Sequence, residues 1–260
     1  MMEMIFAVLL GFILGSFINV LVYRLPRGIS IIAPASYCPL CKCKIKFYDN
    51  IPLLSFIMLK GKCRNCGHKI SLQYPIIEAT FVIVLLCLVM KFGISRDFFY
   101  FAVFSFFLAA AAYCDIYTLI DRNFETGVIP DSLNYTGIIT GLFLSYILYN
   151  SFIDSIIGAL IGFLLLYIPN AIYKIFKKID GIGGGDMKLL ALVGAFLGYK
   201  LILFVLLISS FAGAVVGIII VILTKNKYFP VPFGPFIALG GLLVLFFKEY
   251  LLDILGLWLL

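Results

Sequence analysis

The stretch "GIGGGDMKLLALVGAFLGYKLILFVLLISSFAGAVVGIIIVIL" (residues 181–223) sets one carboxylate, Asp186, behind four glycines in five positions and ahead of a long apolar run. A bilayer crossing takes about 20 apolar residues, so the run 187–223 is long enough for a hairpin of two short helices. Glycine tolerates backbone shapes closed to other residues. Placed here, it lets the helix break so that Asp186 sits in a water-accessible notch at the membrane edge.

Comparable apolar runs recur at roughly 4–23, 75–92, 98–114, 132–149, 153–173 and 231–247. The chain of 260 residues is 63% apolar and 13% charged, with a mean hydropathy of +1.15; a soluble domain carries about 45–50% and about 25%. Backbone groups in lipid need internal partners, and no alternating ten-residue pattern suggests a barrel. The expected fold is an all-α polytopic membrane protein with about eight transmembrane helices. The first run has no basic stretch before it and no small-x-small cleavage site after it, so it reads as a span and not as a secretory signal.

Lys and Arg set the orientation. Segment 24–74 holds Arg24, Arg27, Lys42, Lys44, Lys46, Lys60, Lys62, Arg64 and Lys69 against a single acid, Asp49, so it belongs in the cytoplasm. Eight spans threaded from an outside N-terminus also place Arg122, Lys174, Lys177, Lys178, Lys188, Lys225 and Lys227 inside, and leave only Lys91, Arg96, Lys200 and Lys248 outside. The net charge of +7 is thereby absorbed by topology and contact with anionic lipid. No nucleic-acid-binding module accompanies it.

The same polar segment carries "CPLC" (Cys38, Cys41) and "CRNC" (Cys63, Cys66), 21 residues apart. Each C-x-x-C supplies two thiolates on a tight turn, which suits a structural tetrahedral Zn²⁺. A segment of about 50 residues buries little core, and a metal offsets that shortfall. The alternatives are reduced thiols or a disulfide pair, and cytoplasmic placement argues against the disulfide. Cys43 and His68 lie beside the knuckles and read as bystanders, with substitute ligands as the alternative, and Cys87 and Cys114 read as small core residues.

Acids at span ends are costly enough to invite a functional reading. Asp115 ends the third span and Asp186 opens the sixth, both at the cytoplasmic edge; Asp121, Glu125 and Asp131 follow Asp115 in "LIDRNFETGVIPDSLN" (119–134). Two carboxylates that meet cannot both ionise easily, so one proton is shared between an acid and a base, a pair able to activate water and protonate a leaving nitrogen. The alternative makes 181–185 a flexible loop and Asp186 a helix cap favoured by the N-terminal dipole.

These residues resemble the type IV prepilin peptidase family, the leader peptidase/N-methyltransferases of prepilins and pseudopilins. The similarity runs through "GSFINVLVYRLPRG" (15–28), the two cysteine pairs, "DNIPLLSF" (49–56), "YPIIE" (74–78), "IPD" (129–131), "GGGDMKLLA" (183–191) as the family's GxGD motif, and "PFGPFIALG" (232–240). It implies three parts: a first helix (1–23), a cysteine-rich zinc-binding and methyltransferase domain (24–74), and a membrane aspartic peptidase domain (75–260). It further implies a bacterial inner-membrane enzyme that cuts prepilins or pseudopilins after a short basic leader, then methylates the new N-terminus with S-adenosylmethionine.

The GxGD aspartate maps onto Asp186, with Gly183, Gly185 and Lys188 expected beside the substrate. In the family pattern D-x-x-x-x-x-I-P-D the first acid precedes the last by eight residues, whereas Asp115 precedes Asp131 by sixteen. Treating 119–126 as an insertion restores the pattern and selects Asp115, with Asp121 as competitor. Asp131 reads as a cap of the fourth span. Lys188 orients substrate or a phosphate headgroup, or snorkels to the interface. Glu78 and Asp49 are candidates for recognising the basic leader. No G-x-G-x-x-G follows a strand, so an S-adenosylmethionine site rests on resemblance alone. The rival readings are a transporter with acids in an ion pathway and a presenilin-like peptidase, which would lack the cysteine insert.

Overall fold

In the computed structural model, residues 1–33, 35–121, 123–225 and 230–254 are described. Arg122 and Lys227, two of the cations assigned inside, lie outside them. The chain divides into two compact units, Met1–Ala102 and Val103–Leu260. Among the described residues the elements are α1 (Met2–Arg24), α2 (Leu54–Met58), α3 (Gln73–Phe92), α4 (Arg96–Ile120), α5 (Asp131–Tyr149), α6 (Phe152–Lys177), α7 (Gly184–Leu197), α8 (Tyr199–Thr224) and α9 (Gly234–Ile254), with short 3₁₀ turns at Leu25–Arg27 and Phe47–Asn50.

Apart from the five-residue α2, these are the eight helices expected. Six of them, α1, α3, α4, α6, α8 and α9, are long and apolar enough to cross a membrane. The exceptions have visible causes. The first turns of α5 carry Asp131, Ser132, Asn134 and Thr136. The 14 residues of α7 rise only about 21 Å, short of the roughly 30 Å hydrocarbon core. The hairpin expected over 187–223 is therefore unequal, because the chain breaks at Gly198, where φ is 75° and ψ is 175°, a region open essentially to glycine alone.

In the first unit α3 packs antiparallel along α1. A methyl group at Gly11 would meet Val82, and one at Gly15 would meet Glu78, while Asn19 Nδ2 donates to the Tyr74 carbonyl at 3.2 Å. Successive turns of α1 thus step backwards along α3.

In the second unit α7 is central, packed by α5, α6, α8 and α9. Met187 and every residue from Leu189 to Phe196 are buried, as befits a helix that is apolar all round. α6 reaches it backbone to backbone: Gly158 lies against Gly194, and Gly162 against Leu190. Small residues four apart allow this approach.

Candidate functional site

α4 continues to Ile120, so Asp115 lies inside the helix and not at its end. Its side chain is buried, only 4% exposed. Its Oδ2 accepts the amide hydrogen of Gly234 at 2.9 Å. Gly234 opens α9, and the first N–H groups of a helix have no partner within it. Two glycines leave the carboxylate its space. A Cβ on Gly127 would overlap Oδ1, and one on Gly234 would fall 2.9 Å from Oδ2.

Asp186 is half-buried in the first turn of α7. Ile129 lies between the two arms. A Cβ on Gly185 would sit 3.1 Å from Ile129 Cβ, and one on Gly234 would sit 2.9 Å from its Cδ1. The space at Gly183 faces Asp186's own carboxylate, with Oδ2 at 3.0 Å from a built Cβ, whereas Gly184 faces open space. Gly183 and Gly185, expected to admit substrate, thus make room for the site's own side chains.

The loop before α7 is pinned. Asn170 Oδ1 accepts the amides of Gly181 and Ile182 at 2.8 and 2.9 Å, and its Nδ2 donates to Asp180 at 3.2 Å. Lys174 ion-pairs with the same aspartate at 3.0 Å.

The segment 119–126 leaves and returns at one place. The Val128 amide donates to Thr118 Oγ1 at 2.7 Å, and Gly127 rests on Asp115, so the flanks join as "DIYT" to "GVIPD". Asp121 stays within the excursion, its Oδ1 accepting from the Asn123 amide and side chain at 3.0 and 2.7 Å. Asp131 makes no side-chain cap of α5. It accepts from Lys188 Nζ at 2.6 Å, and that ammonium also lies 5.2 Å from the Tyr135 ring centroid.

In the first unit the sulfurs of Cys38, Cys41, Cys63 and Cys66 lie within 4.8 Å of one another. Two loops of one design bring them there. The Cys38 amide donates to Cys43 O and Lys42 N to Cys38 O; the Cys63 amide donates to His68 O and Gly67 N to Cys63 O. Antiparallel bridges close each loop, Tyr37 with Lys44 and Lys62 with Lys69. A tetrahedral site with metal–sulfur bonds of about 2.3 Å has sulfur–sulfur edges of about 3.8 Å, and Cys38 Sγ to Cys66 Sγ spans 3.9 Å. These four thiols can hold a metal ion. Cys43 stands aside, its sulfur 2.9 Å from Asn65 Nδ2.

Asp49 is taken by Arg64, whose Nε and Nη2 donate to it at 2.9 and 2.6 Å. Glu78, only 7% exposed, accepts the Leu53 amide at 2.8 Å and holds a non-glycine residue at φ 57°.

Residues 9–92 match the bacterial peptidase A24 N-terminal domain, and residues 102–218 match the type IV leader peptidase family. A prepilin leader peptidase/N-methyltransferase of Burkholderia pseudomallei is 34% identical over 98% of this chain and 89% of its own length. The chain belongs to the type IV leader peptidase family. Further relatives of the same name occur in Vibrio cholerae, 35% identical over 94% of this chain and 98% of the relative, and in Bacillus subtilis, 34% identical over 94% of each. No solved structure matches. Within this family member, sequence reading singled out Asp115, Asp186 and the four cysteines but missed Gly127, Ile129, Asn170 and Gly234. Gly234 lay in a quoted motif, "PFGPFIALG", yet nothing in the sequence tied that motif to Asp115.

Proposed function

We propose that this multi-pass membrane protein is a prepilin leader peptidase/N-methyltransferase in which Asp115 and Asp186 are the catalytic pair. The observation that carries the reading is Ile129, which lies against Gly185, the neighbour of Asp186, and against Gly234, the partner of Asp115, so that one residue links an acid within α4 to an acid in the first turn of α7. Two acids so placed share a proton. One draws a proton from water as it attacks the scissile carbonyl, and the other protonates the departing amide nitrogen. No covalent intermediate is required. The substrate strand passes Gly184, the one glycine of the GxGD turn facing open space.

Lys188 is occupied by Asp131 and acts by holding α7 to α5. Asp49 is paired to Arg64 and Glu78 is buried against the Leu53 amide, so both acids considered for a basic leader are engaged within the protein. The loops rich in Lys and Arg, the cysteine insert among them, face the cytoplasm of a bacterial inner membrane. Zn²⁺ held by Cys38, Cys41, Cys63 and Cys66 is structural: it closes the insert's two loops on each other. S-adenosylmethionine supplies the methyl group for the new N-terminus. Among the described residues there is no strand-based nucleotide fold to receive it. Nothing favours the transporter reading.

The test is mass spectrometry of a prepilin-like peptide or pseudopilin client incubated with the purified protein and S-adenosylmethionine. The expected product lacks its leader and carries one added methyl group. An intact client refutes the peptidase, and an unmethylated cleaved product refutes the second activity.

A further inference from the structure

Asn134 lies in the first turns of α5 and is fully buried, at 0% exposure. Its Nδ2 donates to the carbonyl of Gly185, 51 residues along the chain, at 3.1 Å. Its Oδ1 is buried too and finds no partner among the described residues. An unsatisfied buried acceptor costs about 1–3 kcal/mol, and asparagine is a weak helix former. Neither packing nor helix propensity accounts for this residue. The bond to Gly185 does.

Gly185 directly precedes Asp186. The atoms of a peptide unit lie in one plane, so the Gly185 carbonyl and the Asp186 amide turn together. Asn134 holds one end of that unit. At the other, the Asp186 amide donates to Gly183 O at 3.2 Å. Glycines on the upstream side leave the backbone soft; the ladder of α7 also reaches the Gly185 carbonyl, and Asn134 adds the tie that comes from another helix. One turn on, Lys188 ties to Asp131 at 2.6 Å, so that α5 grips α7 at positions either side of Asp186.

We propose that Asn134 is a positioning residue for Asp186: by fixing the peptide plane that joins Gly185 to Asp186, it sets the direction in which the carboxyl leaves α7. This rests on the reading of Asp186 as a catalytic acid. Asn134 touches no reacting atom and acts through the backbone.

The test compares full-length wild type with Asn134→Leu and Asn134→Asp, cleaving a prepilin-like peptide between about pH 5 and pH 9, a window on either side of neutrality. Leucine keeps the volume and removes the donor. An aspartate has the same shape; its carboxyl donates to the Gly185 carbonyl when protonated and repels it when ionised. Asn134→Leu should lose about 10- to 100-fold in kcat, with KM within about 2-fold of wild type, as expected for a defect confined to the chemical step. Asn134→Asp should approach wild type at the acid end and fall away with rising pH more steeply than wild type and Asn134→Leu, which share only the limb set by the proton of the acid pair.

Wild-type kcat and an unchanged pH profile in both variants overturn the proposal. So does a loss that is equal at every pH and tracks the fraction unfolded in a thermal melt, since that is a packing role. A wild type that does not cleave overturns the peptidase reading and the proposal with it.

Discussion

The amide of Gly234 donates to the carboxylate of Asp115 across 119 positions of the chain, at 2.9 Å. This ties the start of α9 to the acid on α4 and leaves no room for a side chain at the junction. Gly234→Ala would keep the N–H but push a methyl group against Oδ2, and Gly127→Ala would drive one into Oδ1. Each should lower kcat by about 100-fold, the scale of a misplaced catalytic group, with Gly127→Ala the more severe. Steady-state cleavage with KM measured separately checks this.

Asp121 is the control for that assignment. It sits in the 119–126 excursion and accepts from Asn123, away from the junction of Thr118 with Val128. Asp121→Asn should cleave within about 2-fold of wild type, as surface changes clear of a site usually do. A loss as deep as that of an Asp115 variant would move the first acid to position 121.

The cysteine cluster predicts about one Zn²⁺ per chain by metal analysis. Cys38→Ser, or prolonged chelation, should open the insert to protease near the loops at 37–44 and 62–69, because two knuckles with little core lose their closure. Peptide turnover should fall less than stability does. Metal-free protein with an equally protected insert would contradict the assignment.

Within the insert, Arg64 beside Asp49 holds that carboxyl below the ordinary carboxylate range. A folded value below the unfolded one, about 3.9, gives stability that is fully present above the unfolded value and lost as pH falls through the folded one. Protease protection of the insert in Asp49→Asn should therefore trail wild type near neutral pH and converge on it in acid. A gap that widens on acidification would contradict the pairing.

Much of this was legible in the sequence, for physical reasons that differ by region. The eight helices follow from apolar length. The cysteine site follows from spacing, since each pair sits on one tight loop and needs only the other to approach. The GxGD aspartate announces itself by its glycines. Legibility failed where a residue's purpose lies in a partner far along the chain. By type and place Lys188 reads as a group for substrate, headgroup or the interface, whereas its ammonium donates to Asp131, 57 residues earlier. Asp131 in turn looked like a cap, since an acid after proline at a helix start usually is one. The unequal α7–α8 hairpin was hidden as well, because a composition count sees one mostly apolar stretch of 37 residues and gives no weight to a single glycine at position 198.

The central claim is that two carboxylates, on α4 and α7, together split a peptide bond. The direct measurement is cleavage of a prepilin-like peptide by Asp115→Asn and by Asp186→Asn, each first confirmed as folded by its thermal melt. Both should lose all detectable turnover, and the double variant should be no worse than either single one, since residues that act as a unit are not additive. Wild-type cleavage by either folded variant would contradict the account.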